Sequence, residues 1–76
     1  MIVRQVDLES EDGRSMTCNV DDRPDLKVGV WLSLKHPVGV ERAGDYSALL
    51  SRKWRIMRLG ERRGKPRQDW KVGGLS

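Results

Sequence analysis

Within LKVGVWLSLK (residues 26–35), Val28, Val30, Leu32 and Leu34 occupy every second position, and Trp31, Ser33 and Lys35 take the places between them. Successive side chains of a strand point to opposite faces, so this spacing predicts a strand with one apolar face and one mixed face. Gly29 falls where a bulge or sharp bend lets a small sheet curl. The same period recurs along the chain. In IVRQVDLE (2–9), Ile2, Val6 and Leu8 share a face, with Arg4 breaking the row, and Asp7 and Glu9 take the other. Met16, Cys18 and Val20 alternate with Thr17 and Asn19. Between these two runs stands Asp12-Gly13, a strong short-range hairpin signal, because glycine accepts a positive φ. The first two strands are therefore expected to pair antiparallel.

Pro24 ends the second run, since it lacks a backbone donor and restricts Arg23. Residues 36–50, HPVGVERAGDYSALL, read as a long connection with one helical turn at 45–50. RKWRIMRL (52–59) reads as a fourth strand. Trp54 and Ile56 share a face with Arg58, and Met57 and Leu59 share the other with Arg55, which suits a central strand or a bulge. Residues 60–67, GERRGKPR, form a basic loop, and 68–72, QDWKV, a short fifth strand. Residues 73–76 are expected to fray, with Leu75 able to dock on the core. These short strands and their turn signals predict an all-β chain: a single domain, 1–76, built as a small five-stranded antiparallel meander. Curling into an SH3-like or open barrel covers the core and protects the edges.

With 76 residues, the chain has room for one domain, most of whose surface stays wet. The three tryptophans and the absence of phenylalanine make each large aromatic important to folding. Trp54 and Trp70 fit core positions, whereas Trp31 faces away from the apolar row. One cysteine rules out an internal disulfide, no apolar run approaches the length of a membrane span, and no secretory leader opens the sequence. A cytoplasmic protein is the expectation.

The chemistry of catalysis is hard to assemble from these residues. His36 is the one histidine, in a loop remote from Cys18, so no nucleophile–base pair forms and no four-ligand zinc site is possible within one chain. Asp7, Glu9, Glu11 and Gly13 approach an EF-hand spacing, but the glycine is seventh rather than sixth and Cys18 stands at the twelfth position. GERRGK (60–65) approaches a phosphate loop but is one residue short, and Pro66 replaces the magnesium-binding Ser or Thr. The expectation is a protein that is not an enzyme and needs no metal or cofactor.

Charge is the informative feature. The net charge of +4 hides a division: residues 1–50 carry six basic and nine acidic side chains, and residues 51–76 nine basic and two acidic. Cations bind phosphates, and aromatic faces stack on the bases of single strands. Lys53, Arg55, Arg58, Arg62, Arg63, Lys65 and Arg67, with Trp31 as the exposed aromatic, are the candidate nucleic-acid-binding residues. The competing reading is a protein-binding modulator that acts through the Trp31 face or adds a free sheet edge, at 2–9 or 68–72, to a partner.

The stretch MTCNVDDRPDLKVGVWLSLK (16–35), the strand carrying Trp54 and the closing DWKVGGL (69–75) together resemble small uncharacterised proteins encoded by tailed bacteriophages, particularly those of actinobacteria. None of these motifs is a catalytic or ligand signature, so the resemblance carries over no functional residue. It implies a protein of the infected bacterial cytoplasm that binds host machinery or phage nucleic acid.

Overall fold

A computed structural model describes residues 2–36 and 47–75 of the chain. It is all-β, with strands β1 (Val3–Ser10), β2 (Ser15–Asp21), β3 (Trp31–Lys35), β4 (Trp54–Arg63) and β5 (Lys71–Leu75), and a single helical turn α1 (Ser47–Leu50) before β4. The strands form one sheet in the order β2-β1-β4-β3-β5. All four ladders are antiparallel, as expected. The sheet is curled but not closed into a barrel. Among the described residues, its two edge strands approach through a single parallel bridge, Val20 to Trp70.

The β1–β2 turn forms where Asp12-Gly13 predicted it. Gly13 donates to the Ser10 carbonyl at 3.1 Å, Ser10 N donates to the Arg14 carbonyl at 2.8 Å, and Gly13 has a φ of 87°. This is the three-residue hairpin loop with a left-handed glycine. Its register places Val6 against Cys18 and Leu8 against Met16, so the apolar faces of the two strands coincide. Ile2, expected in that row, is exposed instead, since the strand begins only at Val3.

The long third run is cut short by two consecutive turns. Leu26 N donates to the Arg23 carbonyl at 3.3 Å across Pro24, and Val30 N donates to the Lys27 carbonyl at 3.2 Å. In the second turn Gly29 takes the third position with a φ of 91°, which side chains with a Cβ strongly disfavour. The chain therefore turns through Val28, which is 63% exposed despite its place in the alternating row, while Leu26 is delivered to the core. Strand geometry begins at Trp31, after the turn.

β4 is central and also bulged. Its pairing with β1 runs Leu8–Ile56, then Asp7–Arg58, leaving Met57 as the extra residue, and it slips again between Val6–Leu59 and Arg4–Arg62. A bulge resets the alternation. Trp54 and Ile56 point into the core, and Leu59, which simple alternation put on the opposite face, packs against the core as well. Arg58 is turned outward instead. β4 also extends through Arg63, so the basic loop is 64–70 rather than 60–67. β5 pairs with β3, not with β4, and takes in Gly73–Leu75, which the sequence suggested as a tail. The expected turn at 45–50 is present as α1 from Ser47, while residues 37–46 of that connection lie outside the described residues.

The core lies on the concave side of the sheet. Val6, Leu8, Cys18, Val20, Leu32, Leu34, Trp54, Ile56, Trp70 and Val72 are buried there with Leu26. Trp54 also donates its indole N–H to the Leu49 carbonyl at 3.1 Å, fixing α1 over the β3–β4 end. The seam between β2 and residues 67–72 is held by side chains as well as backbone. Asp69 N donates to the Asn19 carbonyl at 2.9 Å, the Asp69 carboxylate accepts from Asn19 N at 2.9 Å, and Asp21 Oδ1 accepts from Val72 N at 2.7 Å.

The truncated third strand gives a direct check. Leu32→Ala should cost about 2–5 kcal/mol, as a buried leucine does, whereas Val28→Ala should change stability by less than about 0.5 kcal/mol. Urea denaturation midpoints distinguish the two. A large loss from Val28→Ala would contradict the turn.

Candidate nucleic-acid interface

The basic residues singled out in the sequence do not form one surface. Arg58 lies opposite Asp7 on the outer face, and its Nε stands 3.6 Å from the Asp7 carboxylate, which also accepts from the Thr17 hydroxyl at 2.8 Å. Arg62 pairs with Asp22 at 3.2 Å. These two arginines are thus matched by carboxylates from β1 and from the end of β2. Arg63 ends β4, and Lys65 and Arg67 are exposed on the connection to β5, with no ion pair among the described residues. At about 3.3 Å per residue, Arg63 is roughly 25 Å along β4 from Arg55. The two ends of the tract cannot touch the same small ligand.

At the near end, three of the candidates do meet. Trp31 and Arg55 are directly opposite across β3 and β4, and the Arg55 guanidinium stands over the indole, 5.7 Å from the ring centroid. Lys53, just before β4, is exposed beside them. Trp31, half-buried, lines a shallow cleft of about 180 Å³ with Leu32, Ser33, Lys53, Gly74 and Leu75. A cation over one part of the indole adds polarising charge to an aromatic surface that still borders solvent. Trp54 and Trp70 are 1% and 4% exposed and belong to the core, as their positions suggested.

The structure extends this face in a direction not singled out in the sequence. On β3 the outward row is Trp31, Ser33 and Lys35, because Leu32 and Leu34 are buried. On β5, Val72 is buried, which turns Lys71 outward directly opposite Lys35. Between these ends the register places two residues, Gly73 and Gly74, against the single Ser33. Any Cβ at Gly73 would come within 2.7 Å of Ser33 Oγ and 3.0 Å of Lys35 Cε, so only glycine lets those side chains lie across β5. The result is a low floor of small residues with Lys35 and Lys71 at one end and Trp31, Lys53 and Arg55 at the other. Neither β3 nor β5 contains an acidic residue. Lys35 was visible on the Trp31 face from alternation alone. Lys71 was not, since 36 positions separate the two lysines and only the β3–β5 pairing unites them.

The remaining polar groups have structural settings. Arg52 is tied to Asp12 at 3.4 Å, and Arg14 reaches the same carboxylate at 3.4 Å. The Ser10 hydroxyl donates to Asp12 and accepts from Arg14 N at 3.1 Å. Cys18 is buried, His36 sits with its ring centroid 5.5 Å from that of Trp70, and among the described residues no three His, Cys, Asp or Glu side chains gather as a metal site. Compared with family models, curated proteins and solved structures, the chain matches none of them.

The hairpin tip makes a pH prediction. The Ser10 hydrogen bond is the chief cause that holds the Asp12 carboxyl below the ordinary carboxylate range; desolvation, next in size, opposes it, and the charge of Arg52, a backbone hydrogen bond and the charge of Arg14 add to the lowering. A folded-state pKa lowered in this way contributes stability at neutral pH that is lost as pH falls below about 4 and through the lowered value. Asp12→Asn should therefore show a shallower acid-side fall in melting temperature than the wild type. Parallel pH profiles for the two proteins would count against the assignment.

Proposed function

We propose that this chain is a small, non-enzymatic, phage-type binding module that contacts nucleic acid through the outer face carrying Trp31, Lys53 and Arg55. The observation that carries the reading is the meeting of an accessible indole with two cations beside an open cleft, next to β3 and β5, which carry no acidic residue. Such a combination suits a backbone phosphate and a base face together. Arg63, Lys65 and Arg67 act as an outlying cationic patch that raises the encounter rate with a polyanion. Arg58 and Arg62 contribute less, because Asp7 and Asp22 already neutralise them. The resemblance to tailed-phage proteins supports a setting in the cytoplasm of an infected bacterium.

The protein-binding alternative is narrowed by the topology. Of residues 2–9, Val3 to Glu9 lie in β1, between β2 and β4, and have no free edge to offer. β5 is an edge strand, but its start is pinned to β2 through Trp70 and Val72. The Trp31 face is the surface that both readings share, so a binding assay must separate them.

Fluorescence anisotropy with labelled DNA and RNA oligonucleotides should show binding that weakens as salt rises. The joint Lys53→Ala, Arg55→Ala variant should lose tenfold or more in affinity. The slope of log K against log salt should shrink by roughly 0.7–0.9 for each lost phosphate contact. Absence of binding to any nucleic acid at low salt would refute the proposal. Retention of a protein partner from nuclease-treated lysate, abolished by Trp31→Ala, would favour the alternative.

A further inference from the structure

Lys35 and Lys71 face each other directly across an antiparallel pair, and among the described residues neither makes an ion pair. Like charges in that relation destabilise a sheet. Elsewhere on the sheet the outward cations Arg58 and Arg62 each have a carboxylate within reach. The β3–β5 end has no such carboxylate paired with its lysines among the described residues, and the absence of a side chain at Gly73 lets Ser33 and Lys35 lie across β5. An uncompensated lysine pair with the Ser33 hydroxyl beside it is suited to a tetrahedral oxyanion.

We infer that Lys35, Lys71 and Ser33 form a phosphate site, and that the nucleic acid held on this face is a single strand with one base against Trp31 and a phosphate further along the same strand between the two lysines. This rests on the nucleic-acid reading above. Four residues of β3 separate Trp31 from Lys35, about 13 Å at strand rise. At the duplex rise of about 3.4 Å per phosphate that is some four nucleotides, and fewer for an extended strand. A short single strand therefore spans the whole face. A duplex fits poorly for two reasons. Its bases are stacked away from an indole on the outer face of a sheet, and the continuous cationic track its backbone would follow along β4 is broken by the Asp7 and Asp22 ion pairs. A single strand offers base and phosphate to the same surface.

The test uses a ten-nucleotide oligothymidylate, the matching duplex, an abasic strand of equal length and a polyglutamate peptide. Anisotropy and intrinsic tryptophan emission are both read. Because Trp54 and Trp70 are buried, quenching on binding reports Trp31. The single strand should bind at least tenfold more tightly than the duplex and quench the emission, and the abasic strand should lose roughly tenfold and leave the emission unchanged. Lys71→Glu should raise the urea midpoint of the free protein by replacing repulsion with attraction to Lys35, and should weaken the single strand tenfold or more. That opposite pair of effects separates a ligand site from a structural role, and it does not depend on Trp31→Ala folding. Duplex binding as tight as single-strand binding, or Lys71→Glu binding like wild type, would overturn this inference while nucleic-acid contact stands. Polyglutamate binding as tight as the oligonucleotide would assign the face to acidic peptide and remove both readings, as would failure of every nucleic acid to bind.

Discussion

The seam at Asn19–Asp21 is the constraint on which the curled sheet depends. A five-stranded sheet of this size leaves two open edges, and here they are drawn together by very few bonds. Asn19 is gripped on both its N–H and its carbonyl by Asp69 and Trp70, and Asp21 reaches across to the N–H of Val72. Carboxylates acting as backbone acceptors make charge-assisted bonds, which are stronger than neutral ones. They do the work that a full ladder would do in a closed barrel. They also carry Trp70 and Val72 into the core and thereby fix the roll of β5. Since the outward positions of β5 follow from that roll, the placement of Lys71 opposite Lys35 is set at the opposite edge of the sheet.

Much of this was legible in the chain. The all-β class, the Asp12-Gly13 hairpin, the burial of Trp54 and Trp70 and the outward turn of Trp31 follow from period-two spacing and from turn chemistry. The failures have physical causes that alternation cannot express. Val28 obeys the period yet is exposed, because two turns around Pro24 and Gly29 interrupt the strand before it. Leu59 and Arg58 exchange faces because Met57 is bulged, an event that depends on the partner strand β1 rather than on β4 alone. The partner of β5 is likewise a long-range choice. QDWKV reads equally well beside β4 or β3, and the local sequence gives no register. For the same reason half of the candidate face, Trp31 with Lys35, could be read from one strand, while its completion by Lys71 and the two glycines could not.

Charge proves less informative by count than by placement. The second part of the chain has a large positive excess, but several of its arginines are spent on carboxylates of the first part: Arg52 on Asp12, Arg58 on Asp7 and Arg62 on Asp22. These exposed or half-exposed pairs contribute little to stability. Their greater effect is to subtract charge from β4, so that the uncompensated cations lie at its two ends and on β5. A basic tract in the sequence thus becomes two separate basic areas in the fold, only one of which has an aromatic.

The β3–β4 ladder joins Trp31–Leu32 to Arg55–Trp54, and it is continued only by the bonds of Gly29 N to the Ile56 carbonyl and of Ile56 N to the Val30 carbonyl, so it is the short join in the molecule. β2, β1 and β4 are laced together over most of their lengths, while β3 and β5 form a leaf that hangs from β4 by that short hinge with its two flanking bonds, by core packing and by the seam. Units with few shared backbone bonds open at lower free energy than the whole. The leaf is therefore the part of the sheet that breathes first. Anything that bridges Trp31, on the hinge, to Lys71, at the seam, acts as a splint across both of its attachments, so occupancy of this face and rigidity of the sheet are coupled.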